Sequence, residues 1–402
     1  MKRPIYLDHH ATTPVDPRVL DAMLPYFREE FGNAASRTHA YGWRAEAAVE
    51  QAREEVAAAI GARDPREIVF TSGATESDNL ALQGVLRARG SGEIALSAIE
   101  HPAVADTARA LAREGFATRV LPVDGEGRVD PAALDGVLSE RSALVSVIWA
   151  NGEVGTVQPI AALAARCRER GVPFHSDAAQ AVGKLPVDVE RDGVDLLSFS
   201  AHKVYGPKGV GALYVRRARP RLRLLPILHG GGHEFGLRSG SLPVPLVVGM
   251  GLALRIAVAE RETEARRLAG LRDRLLARLA AALPGVRVNG PKDARLPGNL
   301  HLSLEGVAAD ALVASCPELA LSTGSACASA RPEPSPVLVA LGLSAERVRE
   351  GFRIGLGRTT SEADVDTAAD VIAERAGRLR AERGASPRPA RAASLGTSEE
   401  PP

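Results

Sequence analysis

Between about Glu67 and Val215 the chain alternates short β-rich runs with alanine- and arginine-rich stretches of helical character, and no other feature constrains the fold as much. The runs Ile68 to Thr71, Ile94 to Ser97, Leu144 to Trp149, Val172 to Ser176, Leu196 to Ser200 and Val210 to Val215 are nearly continuous in apolar residues; segments such as Ala103 to Glu114 and Ile160 to Arg170 separate several of them. Strands apolar on both faces must be covered on both, so the pattern predicts an α/β layer around a largely parallel sheet. The last pair, joined by AHKVYGPKG, reads as a local antiparallel excursion. Ahead of the block, Val49, Ala52, Val56 and Ile60 share one helical face, which predicts an amphipathic helix from Trp43 to Ile60.

After Pro245 the character changes. Leu268, Leu271, Leu275 and Leu279 recur at helical spacing, shorter strands follow at Val286 to Val288, Leu300 to Leu304 and Arg353 to Leu356, and a closing helix runs from Ser361 to about Glu382. This predicts a smaller α+β domain packed on the first, with the boundary near residues 245–260. The final stretch, GASPRPARAASLGTSEEPP, has no apolar periodicity and reads as a disordered tail.

Composition narrows the function classes. With 50 basic against 49 acidic side chains there is no global charge to recruit nucleic acid. Three cysteines, Cys167, Cys316 and Cys327, with no CxxC pairing, argue for a reducing compartment and against a disulfide framework. The start, MKRPIYLDHH, lacks the apolar core of a secretion signal, and the most apolar later stretch, Val244 to Val258, is interrupted by Pro245, glycines and Arg255, so a cytoplasmic protein without membrane spans is expected. Only five of the basic residues are lysines, Lys2, Lys184, Lys203, Lys208 and Lys292, which shortens the candidates for amine chemistry.

Three local patterns carry chemistry. In IVFTSGATESDNLAL a strand passes through Gly73 into a helix whose first turn holds Ala74 and Thr75, an arrangement whose free backbone N–H groups suit a phosphate; taken alone, an ordinary helix cap is the better reading. Asp177 and Gln180 follow one strand and Ser200, His202 and Lys203 the next, and ligands of α/β sheets gather at the carboxyl ends of strands. The alternatives are a capping aspartate and a solvated surface amine. Lys203, beside His202 and after an apolar run, suits a partly buried imine-forming amine; Lys184 precedes Leu-Pro with no polar chemistry evident near it. Phosphate anchor, carboxylate and lysine are what pyridoxal 5′-phosphate requires, with His101 in SAIEHPAV as a stacking imidazole and proton shuttle rather than an exposed loop histidine. In LSTGSACASA, Cys327 lies among small residues that leave its thiol able to travel, whereas Cys167 and Cys316 read as packing cysteines.

These motifs, with YLDHHATTPVDPRV, FGNAASRTHAYGW, HGGGHEFGLRSGSLPV and FRIGLGRTT, occur in one order over about residues 4–383, and the sequence resembles the cysteine desulfurases of the NifS/IscS type, group I, within the class-V aminotransferases. The resemblance implies fold-type I: a large domain over 16–250 with a mostly parallel seven-stranded sheet, a small α+β domain over 251–383 joined by residues 1–15, and a tail over 384–402. It implies that Lys203 binds the cofactor aldehyde, Asp177 pairs with the pyridine nitrogen, His101 stacks and transfers protons, and Gln180 bonds the phenolic oxygen. Ala74, Thr75, Ser200 and His202 would hold the phosphate, with Ser241 reaching in from a second subunit of a homodimer. Arg353 would clamp the substrate carboxylate, and Cys327 would take the sulfur of L-cysteine as a persulfide, releasing L-alanine. The acceptors implied are an iron–sulfur scaffold protein and tRNA-thiolation proteins. No intrinsic metal is implied, Cys327 being the candidate ligand of a transient iron–sulfur cluster.

The chain departs from that pattern in places. It reads Asn151-Gly152-Glu153 where many relatives carry Asn-Asn-Glu, which leaves a cofactor contact either missing or passed to Asn151. Ser241 stands for threonine, Ala201 for glycine, and His9-His10 for a tyrosine-containing pair. Rival readings are a selenocysteine lyase or another class-V aminotransferase, and a non-catalytic scaffold for iron–sulfur assembly. A zinc site at His229 and His233 is disfavoured, because three glycines hold a helical i, i+4 face poorly.

Overall fold

The structure is a computed structural model that describes residues 3–217, 221–324 and 334–385, with side chains to residue 382. Cys327 and the tail from 386 lie outside the described residues. Twelve strands are described: β1 Ile5–Tyr6, β2 Ile68–Thr71, β3 Glu93–Ser97, β4 Ala117–Leu121, β5 Ser142–Ser146, β6 Phe174–Asp177, β7 Leu196–Ser200, β8 Gly211–Val215, β9 Val286–Val288, β10 Asn299–Leu304, β11 Leu319–Ala320 and β12 Gly351–Gly355.

Seven of them form one sheet in the order β2-β8-β7-β6-β5-β3-β4. Every pair from β7 to β4 is parallel, and β8 runs antiparallel to both its neighbours, as the tight AHKVYGPKG connection requires. β2, β3, β5, β6, β7 and β8 are buried throughout; all but β6 read as largely apolar runs, whereas β6 is shifted from the expected Val172 to Ser176 to Phe174–Asp177 and buries three polar residues. β4 was not legible: as an edge strand it exposes Thr118, Arg119 and Val120 and carries no such run. β5 ends at Ser146, short of Trp149, yet Val147 and Trp149 still donate to the carbonyls of His175 and Asp177.

The helix Val244–Ala282 spans 39 residues and serves two cores. Val244, Val247, Met250 and Leu254 pack with the large sheet, whereas Leu271, Leu275 and Leu279 pack with β10, β12 and Val365, Ala368 and Ile372 of the closing helix Glu362–Ala385. The compositional change at Pro245 is therefore a helix start, with proline in the first turn, where its missing N–H costs nothing. The N-terminal segment crosses to the second core: β1 pairs parallel with β11, and Leu7 and His9 bond Gly355 at the end of β12. Among the described residues no helix is long and apolar enough to cross a membrane.

One close approach aligns the sheet with the helix Ala74–Arg89. A Cβ on Gly211 would lie 2.6 Å from both Gly73 Cα and Phe199 O, so only glycine lets β8 pass beneath the helix start. Gly211→Ala is expected to cost about 1–3 kcal/mol, the range for overpacking. A lower urea midpoint with an unchanged slope measures it; an unchanged midpoint contradicts this packing.

Candidate active site

The carboxyl ends of β6 and β7 and the starts of two helices meet at one edge of the sheet. Asp177 closes β6 and is buried, and its Oδ1 accepts the Ala179 N–H at 2.9 Å, so the capping alternative is realised as well. Burial foremost pushes its carboxyl above the usual carboxylate range, against the pull of His101 and Lys203. His101 is half-buried as the N-cap of Pro102–Arg113; its Nδ1 accepts the Ala103 N–H at 3.1 Å, which assigns the ring proton of the neutral form to Nε2. Lys203 ends a single 3₁₀ turn after β7, and its Nζ donates to the carbonyls of His10 at 2.7 Å and Ala11 at 2.8 Å. The turn continues through Tyr205 in the left-handed region (φ 65°), a conformation costing roughly 1–3 kcal/mol. It is held there by the Arg358 N–H, which donates to the Tyr205 hydroxyl at 2.6 Å, and by the Arg358 guanidinium 4.2 Å above the ring.

At the start of the helix Ala74–Arg89 the N-cap is Gly73, with no side-chain cap, so no cap side chain takes the N–H groups of Ala74 and Thr75. Ser200 Oγ lies 3.9 Å from where a Gly73 Cβ would stand. His202 Nδ1 is 3.0 Å from Thr12 Oγ1, and burial, with Lys203 next, takes its pKa down to about 4. Ser241 is exposed, and its side chain makes no hydrogen bond among the described residues.

Arg353, buried on β12, donates through Nη2 to Asp8 Oδ1 at 2.7 Å and through Nη1 to the Gly152 carbonyl at 3.0 Å; its Nε is buried without a partner. Its backbone bonds Ser322, three residues before the segment that carries Cys327. Cys167 and Cys316 are both buried, and burial pushes the Cys167 thiol up to about 12. Asn151 is already engaged: its Oδ1 accepts from the N–H groups of Glu153 and Val154, and its Nδ2 donates to Ile99 O. Among the described residues no three His, Cys, Asp or Glu side chains converge as a metal would require.

Sequence reasoning missed Lys184. It does have polar chemistry beside it: from a half-buried side chain its Nζ donates to Gln180 Oε1 at 2.7 Å, and desolvation, then Lys203 and Arg353, bring its pKa down to about 7. The available signal was only the four-residue separation of Gln180 and Lys184, in a run of turns that Gly183 (φ 77°) keeps from being a helix. Also missed were Asp8 and His10, whose placement depends on the pairing of β1 with distant β11.

The aminotransferase class-V profile matches residues 5–367. The cysteine desulfurase IscS of Anaeromyxobacter dehalogenans (strain 2CP-C) is 53% identical over 383 residues, 94% of each chain, and that of Neisseria meningitidis serogroup C is 51% identical over the same shares. A NifS-like protein superposes with a TM-score of 0.86 at 36% identity, covering 92% of this chain and 98% of its own. SspA, determined in complex with cysteine, superposes with a TM-score of 0.78 at 37% identity, covering 88% and 98%. Fold and sheet edge together define a fold-type I enzyme of the pyridoxal-phosphate class. The chain belongs to the class-V aminotransferase family, in its cysteine desulfurase branch, and that membership implies pyridoxal phosphate as the cofactor.

Lys184 gives the site a pH signature. A lysine with its folded pKa depressed from 10.5 to about 7 destabilises most where both states are protonated, below about pH 7. Its cost falls as pH rises from there toward 10.5. Lys184→Met in the cofactor-free protein is therefore expected to gain stability over wild type near neutrality, and the gain should shrink toward pH 10. Urea midpoints measured across that range check it; a gain that widens with pH contradicts it.

Proposed function

We propose that this chain is a cysteine desulfurase that takes the sulfur of L-cysteine onto Cys327, releasing L-alanine and passing the persulfide to an acceptor protein. The observation that carries the reading is the convergence of Lys203, Asp177 and His101 on one buried sheet edge. The 53% identity to a cysteine desulfurase and the cysteine-bound structural neighbour support it.

The residues fit the cofactor. The uncapped helix start at Gly73, with Thr75, Ser200 and His202, offers N–H and hydroxyl donors to a phosphate. Asp177 is a buried carboxyl that a pyridinium nitrogen would hold ionised, Gln180 would reach the phenolic oxygen, and Lys203 would hold the aldehyde carbon through its amine. Burial foremost, then the charges of Lys184, Arg353 and Lys203, opposes protonation of His10, and those three basic groups gathered together suit an anionic guest. Bound there, pyridoxal phosphate supplies an electron-accepting ring that makes the bonds at the substrate's Cα and Cβ breakable.

The chain's own groups do the rest. Arg353, already oriented by Asp8 and the Gly152 carbonyl, offers its unpartnered Nε–H to the substrate carboxylate. His101 Nε2 carries the proton that can move, since its Nδ1 is engaged with Ala103. Lys203, whose amine would hold the cofactor, is also the amine placed to take a proton from the substrate. Cys327 as thiolate bonds the substrate sulfur while the Cβ–S bond breaks, so that cysteine and an enzyme thiol become alanine and an enzyme persulfide, with atoms and charge conserved. An iron–sulfur scaffold and tRNA-thiolation proteins are the acceptors this reading favours. Ser241, exposed on its own chain, would complete the phosphate site of a partner subunit, and the exposed rings of Phe27, Phe31, Tyr41 and Trp43 supply apolar surface for a homodimer.

Two variants separate the roles. Lys203→Ala is expected to lose the visible absorbance of bound cofactor and all turnover. Cys327→Ser is expected to keep the absorbance while alanine formation from L-cysteine falls at least about 100-fold, the scale on which a lost covalent nucleophile acts. Full turnover by Cys327→Ser would point to a different reaction on the same scaffold. Light scattering of the holoenzyme is expected to give a dimer; a monomer contradicts the role given to Ser241.

A further inference from the structure

The reading above gives Lys184, the second and half-buried amine at the sheet edge, no part beyond its charge. Its Nζ donates to Gln180 Oε1 at 2.7 Å, and His10 Nδ1 stands 3.2 Å from the same oxygen. On the other side of the amide, Gln180 Nε2 donates to His10 O at 2.8 Å. The His10 carbonyl can only accept and the Lys184 amine donates, so the Gln180 oxygen faces Lys184 and the amide nitrogen faces His10 O. One N–H of that nitrogen is committed to His10 O and the second remains.

Gly152 supplies an independent observation. A Cβ placed there would stand 3.0 Å from Gln180 Nε2, 3.1 Å from Cγ and 3.2 Å from Cδ. Gln180 thus fills the space that any side chain at 152 would enter, and the glycine is what admits it. Asn151 offers no alternative, since its carboxamide is bonded to Ile99, Glu153 and Val154.

We propose that Lys184 is a positioning residue that fixes the orientation of the Gln180 amide, so that Gln180 Nε2 is the amide donor to the cofactor's phenolic oxygen in a chain carrying glycine at 152. The inference rests on the cofactor site proposed above. The charged and titratable groups around Lys184 are His9 and His10 on the N-terminal segment, Lys203 and Tyr205 after β7, Arg353 on β12, Arg358 beyond it, and Glu260, Arg261 and Glu264 on the helix Val244–Ala282, which line the same crevice or act on Lys184 through space. None of them donates a hydrogen bond to Gln180 Oε1 except His10, at the longer distance.

The test reads the visible spectrum of pyridoxal-phosphate-loaded enzyme between about pH 6 and about pH 10, not turnover. A hydrogen-bond donor to the phenolic oxygen favours its ionised form, so removing it raises the midpoint of the spectral transition, by roughly one pH unit for one hydrogen bond to a charged group. Lys184→Met and Gln180→Met should each raise the midpoint, and the double variant should raise it no further, because both delete one interaction. Lys184→Gln, which loses the charge but keeps an N–H donor, should stay near wild type. A Lys184→Gln midpoint as high as that of Lys184→Met would show charge rather than orientation at work and overturn the proposal. Additive shifts, or no shift in either single variant, would overturn it as well. Failure of the underlying cofactor reading is distinguishable, because it would appear as visible absorbance persisting in Lys203→Ala. Should Lys184→Met fail to fold, Gln180→Met and Lys184→Gln still decide: a raised midpoint in the first with a wild-type midpoint in the second supports the proposal, and any other pairing overturns it.

Discussion

The two hydrogen bonds from Lys203 Nζ to the carbonyls of His10 and Ala11 hold the molecule's working parts in register. An amine at the end of a buried strand needs acceptors, and they come from a segment more than 190 residues away in sequence. That segment also sends Asp8 to Arg353, Thr12 to His202 and Thr13 to the His202 carbonyl, while β1 is anchored against β11 in the second core. Residues 5–13 are therefore a strap across both cores. Their sequence carries no catalytic group, yet three of the site residues are oriented by them.

Beneath that strap the buried charges are arranged by elimination. Asp78, Glu100 and Asp177 share one dry region behind the sheet edge, where two neighbouring carboxylates resist joint ionisation. Burial foremost pushes Asp78 well up and takes Glu100 up to about 8, and each also feels the charge of Asp177. His175, bonded to Ser146 and Ser198, is brought down to about 3 by burial and stays neutral. Asp177 alone of the three has His101 and Lys203 pulling its pKa down against burial. The negative charge of the region thus settles at the position facing the site.

What could be read from sequence follows from how far each signal reaches. Buried strands such as β2 and β7 were legible to the residue, because burial on both faces favours a run of mostly apolar side chains broken only by small hydroxyl residues. The exposed edge strand β4 and the two-residue β1 and β11 carry no such constraint, since their partners, not their side chains, make them strands. At the site, Lys203, Asp177 and His101 announce themselves by following strands. Lys184 did not, because its significance lies in the amide it touches and in the absence of a side chain at Gly152. Asn151, which the sequence left open as a substitute for the missing asparagine, is committed to the backbone of its own turn. Only the three-dimensional bookkeeping of donors and acceptors separates Asn151 from Gln180.

The most direct measurement is peptide mass spectrometry of the holoenzyme after incubation with sulfur-labelled L-cysteine and trapping of thiols. The account predicts one additional labelled sulfur atom on the peptide containing Cys327 and none on those containing the buried Cys167 or Cys316. Label on neither, with alanine still released, would contradict the central claim that the sulfur passes through Cys327.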